Sequence, residues 1–209
     1  MNPKNIKNLT DYRNFAFHHT HLRKPTRPTW KGISFTKYGT DMALYAEIIY
    51  ENKPDFIIEA GTSFGGSALF FADMLNTLCG GGKVISIDVR NRIGRKPHHP
   101  NLEFIRGSSI DPEIVQDVMV KVFGGSVMVS LDSKHTFNHV RDELLTYKDI
   151  VTPGQFIVVE DCYVRHERIS GPGIAVNWFL EHDKSFRREN PEEKYLISVT
   201  REGWLRRIH

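Results

Sequence analysis

Cysteine is scarce in this 209-residue chain, where Cys79 and Cys162 are the only two. A pair cannot build a disulfide framework, so a reducing compartment, the cytoplasm, is the expected setting. Long hydrophobic runs are missing as well. Stretches such as Phe156-Ile157-Val158-Val159 are far too short to span a bilayer. Residues 1–10 are polar with scattered lysines and lack the apolar core of a secretory signal. There is no internal repeat and no low-complexity tract. Neither sign of charge dominates, and a formal net charge of +3 is too small to argue for a nucleic-acid partner. What is present is ordinary for a globular protein, with 40% hydrophobic and 25% charged residues. The length suits one α/β domain with a full core.

Residues 1–37 read as an irregular basic arm, carrying Arg23, Lys24, Arg27 and Lys31 and broken by Pro25 and Pro28. A single domain is expected over residues 38–209. It opens with a helical pattern from Thr40, in which Met42, Leu44, Tyr45, Ile48 and Ile49 cover much of the surface. Strands are then expected at 56–58, 84–87, 102–105, 127–131 and 156–159, with helices at 68–78, 113–123, 137–150 and 174–180. Gly80-Gly81-Gly82 suits a helix end, and Asp111-Pro112 supplies a cap and a first-turn proline. Such alternation implies an α/β doubly wound sheet, mostly parallel and covered on both faces. Two further segments, 186–188 and 195–200, are close in sequence and are expected to close the sheet as an antiparallel hairpin.

The segment Glu59-Ala60-Gly61-Thr62-Ser63-Phe64-Gly65-Gly66-Ser67 runs from a strand into a helix. Small residues there let the backbone approach a ligand, and the helix start offers free N–H groups. Asp88 ends the next strand, where a carboxylate can accept hydrogen bonds from both ribose hydroxyls of a nucleotide. The glycines do not follow the G-x-G-x-x-G pattern of pyrophosphate binding. Glu59 would repel phosphates but suits the ammonium of S-adenosylmethionine. That ligand is therefore favoured, with NAD or NADP, or a turn needed only for packing, as the other readings. Ser109, after the third strand, is either an adenine contact or part of a helix-entry loop.

Two later strands end in acids, Asp132 on one and Glu160 with Asp161 on the other. The alternation carries all three to the carboxyl edge that bears the nucleotide turn. Oxygen ligands alone suit a hard cation such as Mg²⁺, with open positions for water or substrate. His135 follows Asp132 by three residues, and an imidazole there can take a proton from a substrate hydroxyl. The expected chemistry is methyl transfer to that oxygen.

These residues also carry a family resemblance. Glu59 to Ser67, Leu131-Asp132-Ser133-Lys134-His135-Thr136, His139-Val140, Glu143-Leu144, Val151-Thr152-Pro153-Gly154 and Val159-Glu160-Asp161 resemble the cephalosporin hydroxylase / rhamnosyl O-methyltransferase family. The similarity runs from about residue 30 to the C-terminus and includes Gly171-Pro172-Gly173 and Leu205-Arg206-Arg207. It implies a Rossmann-like class I methyltransferase fold, S-adenosylmethionine as cofactor, Mg²⁺ held by Asp132, Glu160 and Asp161, and a homo-oligomer. Macrolide-sugar O-methyltransferases look related and imply a general base at His135. Catechol-type enzymes imply a lysine at similar spacing, which makes Lys134 the rival. The implied acceptor is a small-molecule or glycan hydroxyl, sugar-like or diol-containing. Because the family also includes members tied to cephalosporin hydroxylation and methoxylation, the alternative is a cofactor-binding component of such a system without methyl transfer of its own. The short basic arm departs from the family pattern.

Weaker signals remain. His18, His19 and His21 read as exposed residues of the arm rather than metal ligands. The loop over 90–100, with Arg92, Arg95, Lys96, His98 and His99, reads as a solvated loop or as an attractor of anionic acceptors. Trp30 and Tyr38 read either as a lid on the cofactor pocket or as core. Cys162 reads as a small buried neighbour of Asp161, since nothing around it activates a thiol.

Overall fold

Apolar strand segments alternating with amphipathic ones produce a layered α/β structure. The computed structural model describes residues 7, 8, 11, 28–90, 97–164, 168–195 and 198–209. A short hairpin, β1 (Thr29–Trp30) and β2 (Ile33–Ser34), precedes helix α1 (Gly39–Asn52). The alternating part follows as β3 (Phe56–Ala60), α2 (Gly66–Cys79), β4 (Lys83–Asp88), β5 (Leu102–Arg106), α3 (Pro112–Val122), β6 (Val127–Leu131), α4 (Phe137–Tyr147) and β7 (Phe156–Val159). A two-stranded excursion, β8 (Tyr163–Val164) with β9 (Arg168–Ile169), leads to α5 (Gly171–His182), β10 (Phe186–Glu189) and β11 (Trp204–Arg207).

The main sheet has seven strands in the order β10-β11-β7-β6-β3-β4-β5. Strands β3 to β7 are mutually parallel, and β11 runs antiparallel to both β7 and β10. Because successive strand residues point to opposite faces, each strand feeds two cores. Ile58, Ile85, Val129 and Ile157 meet Val118 of α3, Leu144 of α4 and Phe179 of α5. Ile57, Val84, Met128 and Phe156 meet Tyr45 and Ile49 of α1 and Phe71 and Leu75 of α2. Helices on both faces explain why β3 and β6 read as near-continuous apolar runs.

The local punctuation acts as expected. Asp111 accepts the Glu113 N–H at 3.0 Å ahead of Pro112, and Gly80 closes α2 at φ 78°. One strand is misplaced in the sequence reading. The partner of β10 is Trp204–Arg207, not 195–200. Asp41 of α1, itself buried, accepts the Val199 N–H and the Thr200 hydroxyl at 3.1 Å each, which draws 198–200 onto the helix instead of the sheet. Gly203, whose Cβ would lie 2.0 Å from the Val159 carbonyl oxygen, then lets the chain close on β7.

The chain proceeds outward from β3 to β4 and β5, then returns to place β6 on the other side of β3. Strand order therefore reverses between β3 and β6, the point where doubly wound sheets open a crevice at their carboxyl ends. Residues 28–37, read from sequence as part of the arm, lie against α2: Trp30 packs edge-on against Phe70 and donates its indole N–H to Asp73 at 2.6 Å.

Candidate active site

The β3–α2 turn sits on one side of the switch point, and its glycines have distinct reasons. Gly61, at φ 102°, backs onto the end of β6, where a Cβ would come within 2.0 Å of the Asp132 carbonyl oxygen. Gly65, at φ 86°, caps α2 in the left-handed region and lies against Pro97 and Phe104. Gly66 has an ordinary φ but a Cβ there would meet the Ser34 carbonyl at 2.4 Å, so the β1–β2 hairpin requires this glycine. The sequence places Gly66 at a ligand-binding or packing turn, and nothing local in it signals the hairpin's approach.

Polar groups brace the turn from below. Glu59 is fully buried and accepts hydroxyl hydrogens from Ser67 at 2.5 Å and Ser86 at 2.6 Å. Burial pushes its pKa up to about 7, against the opposing pull of Lys37 and the two serines. Thr62 and Ser86 share a hydroxyl hydrogen bond of 2.6 Å. Asp88 accepts the Ser63 N–H at 2.9 Å and the Arg90 N–H at 2.8 Å, so its carboxylate holds the turn's rim. Ser63 itself has φ 48°. Ser109 is buried; its hydroxyl donates to Glu143 at 2.5 Å, and its carbonyl accepts the Tyr147 hydroxyl at 2.7 Å. Glu143 also accepts from Ser133 at 2.6 Å, which ties the loop after β5 to the loop after β6.

The acids gather across the switch point. Asp132 and Asp161 flank His135, whose Nε2 lies 3.2 Å from Asp132 Oδ1 and whose Nδ1 lies 3.2 Å from Asp161 Oδ2. The hydrogen bond to Asp132 raises the His135 pKa to about 9; partial burial opposes this, and the nearby carboxylates reinforce it. Burial works against the Asp132 anion, but Lys37 and His135 outweigh it and bring its pKa down to about 2. Burial pushes Asp161 up to about 6, with the Asp132 charge adding to the shift. Asp161 also adopts φ 54°, a left-handed conformation at the end of β7.

Glu160 stands slightly apart. Its Oε1 accepts the Tyr45 hydroxyl at 2.5 Å and pairs with Lys37 Nζ at 2.9 Å. Lys37 also reaches Asp132 Oδ2 at 2.8 Å. Burial pushes the Glu160 pKa up to about 8, despite the Lys37 charge. The donor set suits a hard cation. Asp132, His135 and Asp161 offer ligand atoms within 4.8 Å of one another, and Glu160 Oε2 is buried with no hydrogen-bond partner among the described residues. Asp132, Glu160 and Asp161 therefore share one edge, with His135 wedged between the two aspartates.

Lys37, Tyr45 and Ser86 were missed in the sequence. Ser86 and Ser130, which pairs with the Tyr45 hydroxyl at 3.0 Å, interrupt otherwise apolar strands. That interruption is the readable signal, because a hydroxyl on a buried strand needs a partner. Lys37 carried none, being one of many basic residues near the N-terminus. Lys134 is exposed. Cys162 is fully buried with its thiol 3.3 Å from the Val159 carbonyl, and burial raises its pKa, as expected of an inert neighbour. His18, His19, His21, Arg92, Arg95 and Lys96 lie outside the described residues.

Comparison with known proteins bears on the family and the fold. The model of the family described as Rhamnosyl O-methyltransferase/CmcI matches residues 24–208. A rhamnosyl O-methyltransferase of Mycobacterium leprae (strain TN) is 33% identical over 199 residues, covering 91% of this chain and 80% of that protein. One from Mycobacterium tuberculosis (strain ATCC 25618 / H37Rv) is 32% identical over 155 residues, 71% of this chain. The match spans 63% of that relative's length. Among solved structures, a CmcI apo-structure superposes with a TM-score of 0.64 at 19% identity, over 87% of this chain and 76% of that one. A CmcI structure with Mg-SAM gives 0.59 at 16% identity, over 87% and 77%. CalS11, a TDP-rhamnose 3'-O-methyltransferase, gives 0.54 at 16% identity, over 71% and 73%. These structures share the α/β fold with its mostly parallel sheet and antiparallel edge. On the family match, the chain belongs to the rhamnosyl O-methyltransferase/CmcI family.

Proposed function

We propose that this chain is an enzyme that transfers a methyl group from S-adenosylmethionine to a hydroxyl of a sugar-like or diol-containing acceptor, with Mg²⁺ among its carboxylates. One observation carries the reading. The nucleotide-type turn and the acid–histidine cluster meet at a single switch point, where Gly61 backs directly onto Asp132. The relatives named as rhamnosyl O-methyltransferases, and a CmcI structure with Mg-SAM, support it.

Residues 61–67 would receive the methionine end through backbone N–H groups, with Asp88 on the ribose hydroxyls and Ser109 beside the adenine. Glu59 acts on the ligand through Ser67, whose hydroxyl it holds. Asp132, Glu160 and Asp161 would hold the cation, which supplies Lewis-acid stabilisation of the acceptor oxygen as it loses its proton. His135 is the proposed base: it is partly open to solvent, and a cation held by the two aspartates that flank it would neutralise the charge that favours its protonated form, leaving the imidazole able to take the acceptor proton. Orientation of the acceptor oxygen against the sulfonium methyl supplies much of the rate.

The test is direct. Purified protein, S-adenosylmethionine and Mg²⁺ are incubated with a panel of rhamnosyl and other diol acceptors, and products are read by mass spectrometry. A gain of one methyl group is expected. Binding of S-adenosylmethionine without transfer to any hydroxyl would instead support the cofactor-binding component.

A further inference from the structure

The segment between β2 and α1 sends a lysine into the acid cluster. Lys37 is 2% exposed, and its Nζ lies 2.8 Å from Asp132 Oδ2 and 2.9 Å from Glu160 Oε1. Both contacts use oxygens of residues that end different parallel strands, β6 and β7. The remaining oxygen of Asp132 faces His135 Nε2 at 3.2 Å. Glu160 Oε1 is already shared with Tyr45, while its Oε2 has no partner among the described residues. The ammonium is a compact charge that needs several acceptors, and these two carboxylates supply them.

We infer that Lys37 is a tethered cation that shares Asp132 and Glu160 with the divalent ion and thereby sets how tightly that ion binds. The inference rests on the reading that these acids take a divalent cation. Two carboxylates this close repel, and a buried acid cluster with nothing positive in it would be costly. Lys37 offsets part of that cost within the chain itself. The same charge also repels an incoming divalent ion and occupies lone pairs that the ion would use. Lys37 is thus a positioning residue with two opposite effects: it holds the two acids in place, and it holds ion affinity down. It also links the β1–β2 hairpin to the site, since the segment that ends in Lys37 begins where Ser34 packs on Gly66.

Mn²⁺ binding to the full chain, followed by calorimetry without acceptor or S-adenosylmethionine, tests this. Lys37→Met removes the charge with similar bulk and should bind Mn²⁺ at least about tenfold more tightly than wild type. Lys37→Arg keeps the charge and should stay within about threefold of wild type. If wild type binds Mn²⁺ and Lys37→Met binds it equally or more weakly, the role given to Lys37 is wrong while the acid site stands. If none of the three binds Mn²⁺, both readings fall. Should Lys37→Met not fold, wild type decides. Mg²⁺ should displace the ¹⁵N resonance of the Lys37 ammonium, and an unmoved signal at saturating Mg²⁺ overturns the inference.

Discussion

Ser67 donates its hydroxyl to Glu59 at 2.5 Å, joining the first turn of α2 to the interior of β3. Glu59 is fully buried, and its pKa rises to about 7 because burial disfavours the anion. A carboxyl raised in this way binds more protons in the folded than in the unfolded state between about pH 4.5 and 7. Its contribution to stability therefore falls as pH climbs through that window. Glu59→Gln should flatten this slope by up to about 3 kcal/mol. Urea unfolding of wild type and variant at about pH 5 and about pH 8 measures it, and identical pH slopes would refute the assignment. Glu160 and Asp161 tilt the wild-type slope in the same direction, so the difference between the two proteins is the readout.

Asp88→Ala tests the rim of the same turn. Asp88 accepts two backbone N–H groups in the structure, and the ribose contacts proposed for it would be charge-assisted. Each such bond is worth about 1–3 kcal/mol, roughly 5- to 150-fold in affinity. Calorimetry with S-adenosylmethionine should show a weakening in that range. Unchanged affinity at unchanged melting temperature would remove Asp88 from the pocket.

How much of this was legible beforehand differs by element. The five parallel strands and the acids at their ends follow from apolar runs bounded by Gly, Pro and Asp, a local signal. The final strand does not, because 195–200 is more apolar than 204–207, which ends in Arg206 and Arg207, and the distant Asp41 contact is what draws 198–200 off the sheet. The site shows the same division. Asp132, His135, Glu160 and Asp161 sit at readable strand ends, whereas Lys37 arrives through tertiary packing of the hairpin on Gly66. Long-range contacts of this kind leave no period in the sequence.

His135 and Lys134 make rival predictions. His135 lies between two site carboxylates, while Lys134 is exposed. His135→Ala should lower turnover by roughly 10²–10⁴-fold with cofactor affinity nearly intact, and Lys134→Ala should change it little. Steady-state kinetics with an identified acceptor measures both. The reverse pattern would transfer the base to the lysine.

Asp161 separates stability from metal binding, because two of its properties pull in opposite directions. Its backbone holds φ 54°, a conformation that costs L-residues energy and glycine almost nothing. Its carboxylate faces His135 at 3.2 Å beside Asp132. Replacing it with glycine relieves the backbone and deletes a proposed ligand in one step. Asp161→Gly should therefore melt at or above the wild-type temperature, with a gain of up to about 1 kcal/mol, while Mn²⁺ binding weakens sharply. Asp161→Asn keeps the backbone cost but loses a charge that burial and Asp132 disfavour, so any gain in its stability should fade as pH falls toward about 4, whereas the backbone gain of Asp161→Gly should persist there. Activity must follow the metal: EDTA should abolish methyl transfer in wild type, Mg²⁺ should restore it, and Asp161→Gly should need far more Mg²⁺ or remain inactive. Full transfer by metal-stripped wild type in EDTA would make these acids structural, and a stable Asp161→Gly protein with undiminished Mn²⁺ affinity would exclude Asp161 as a ligand.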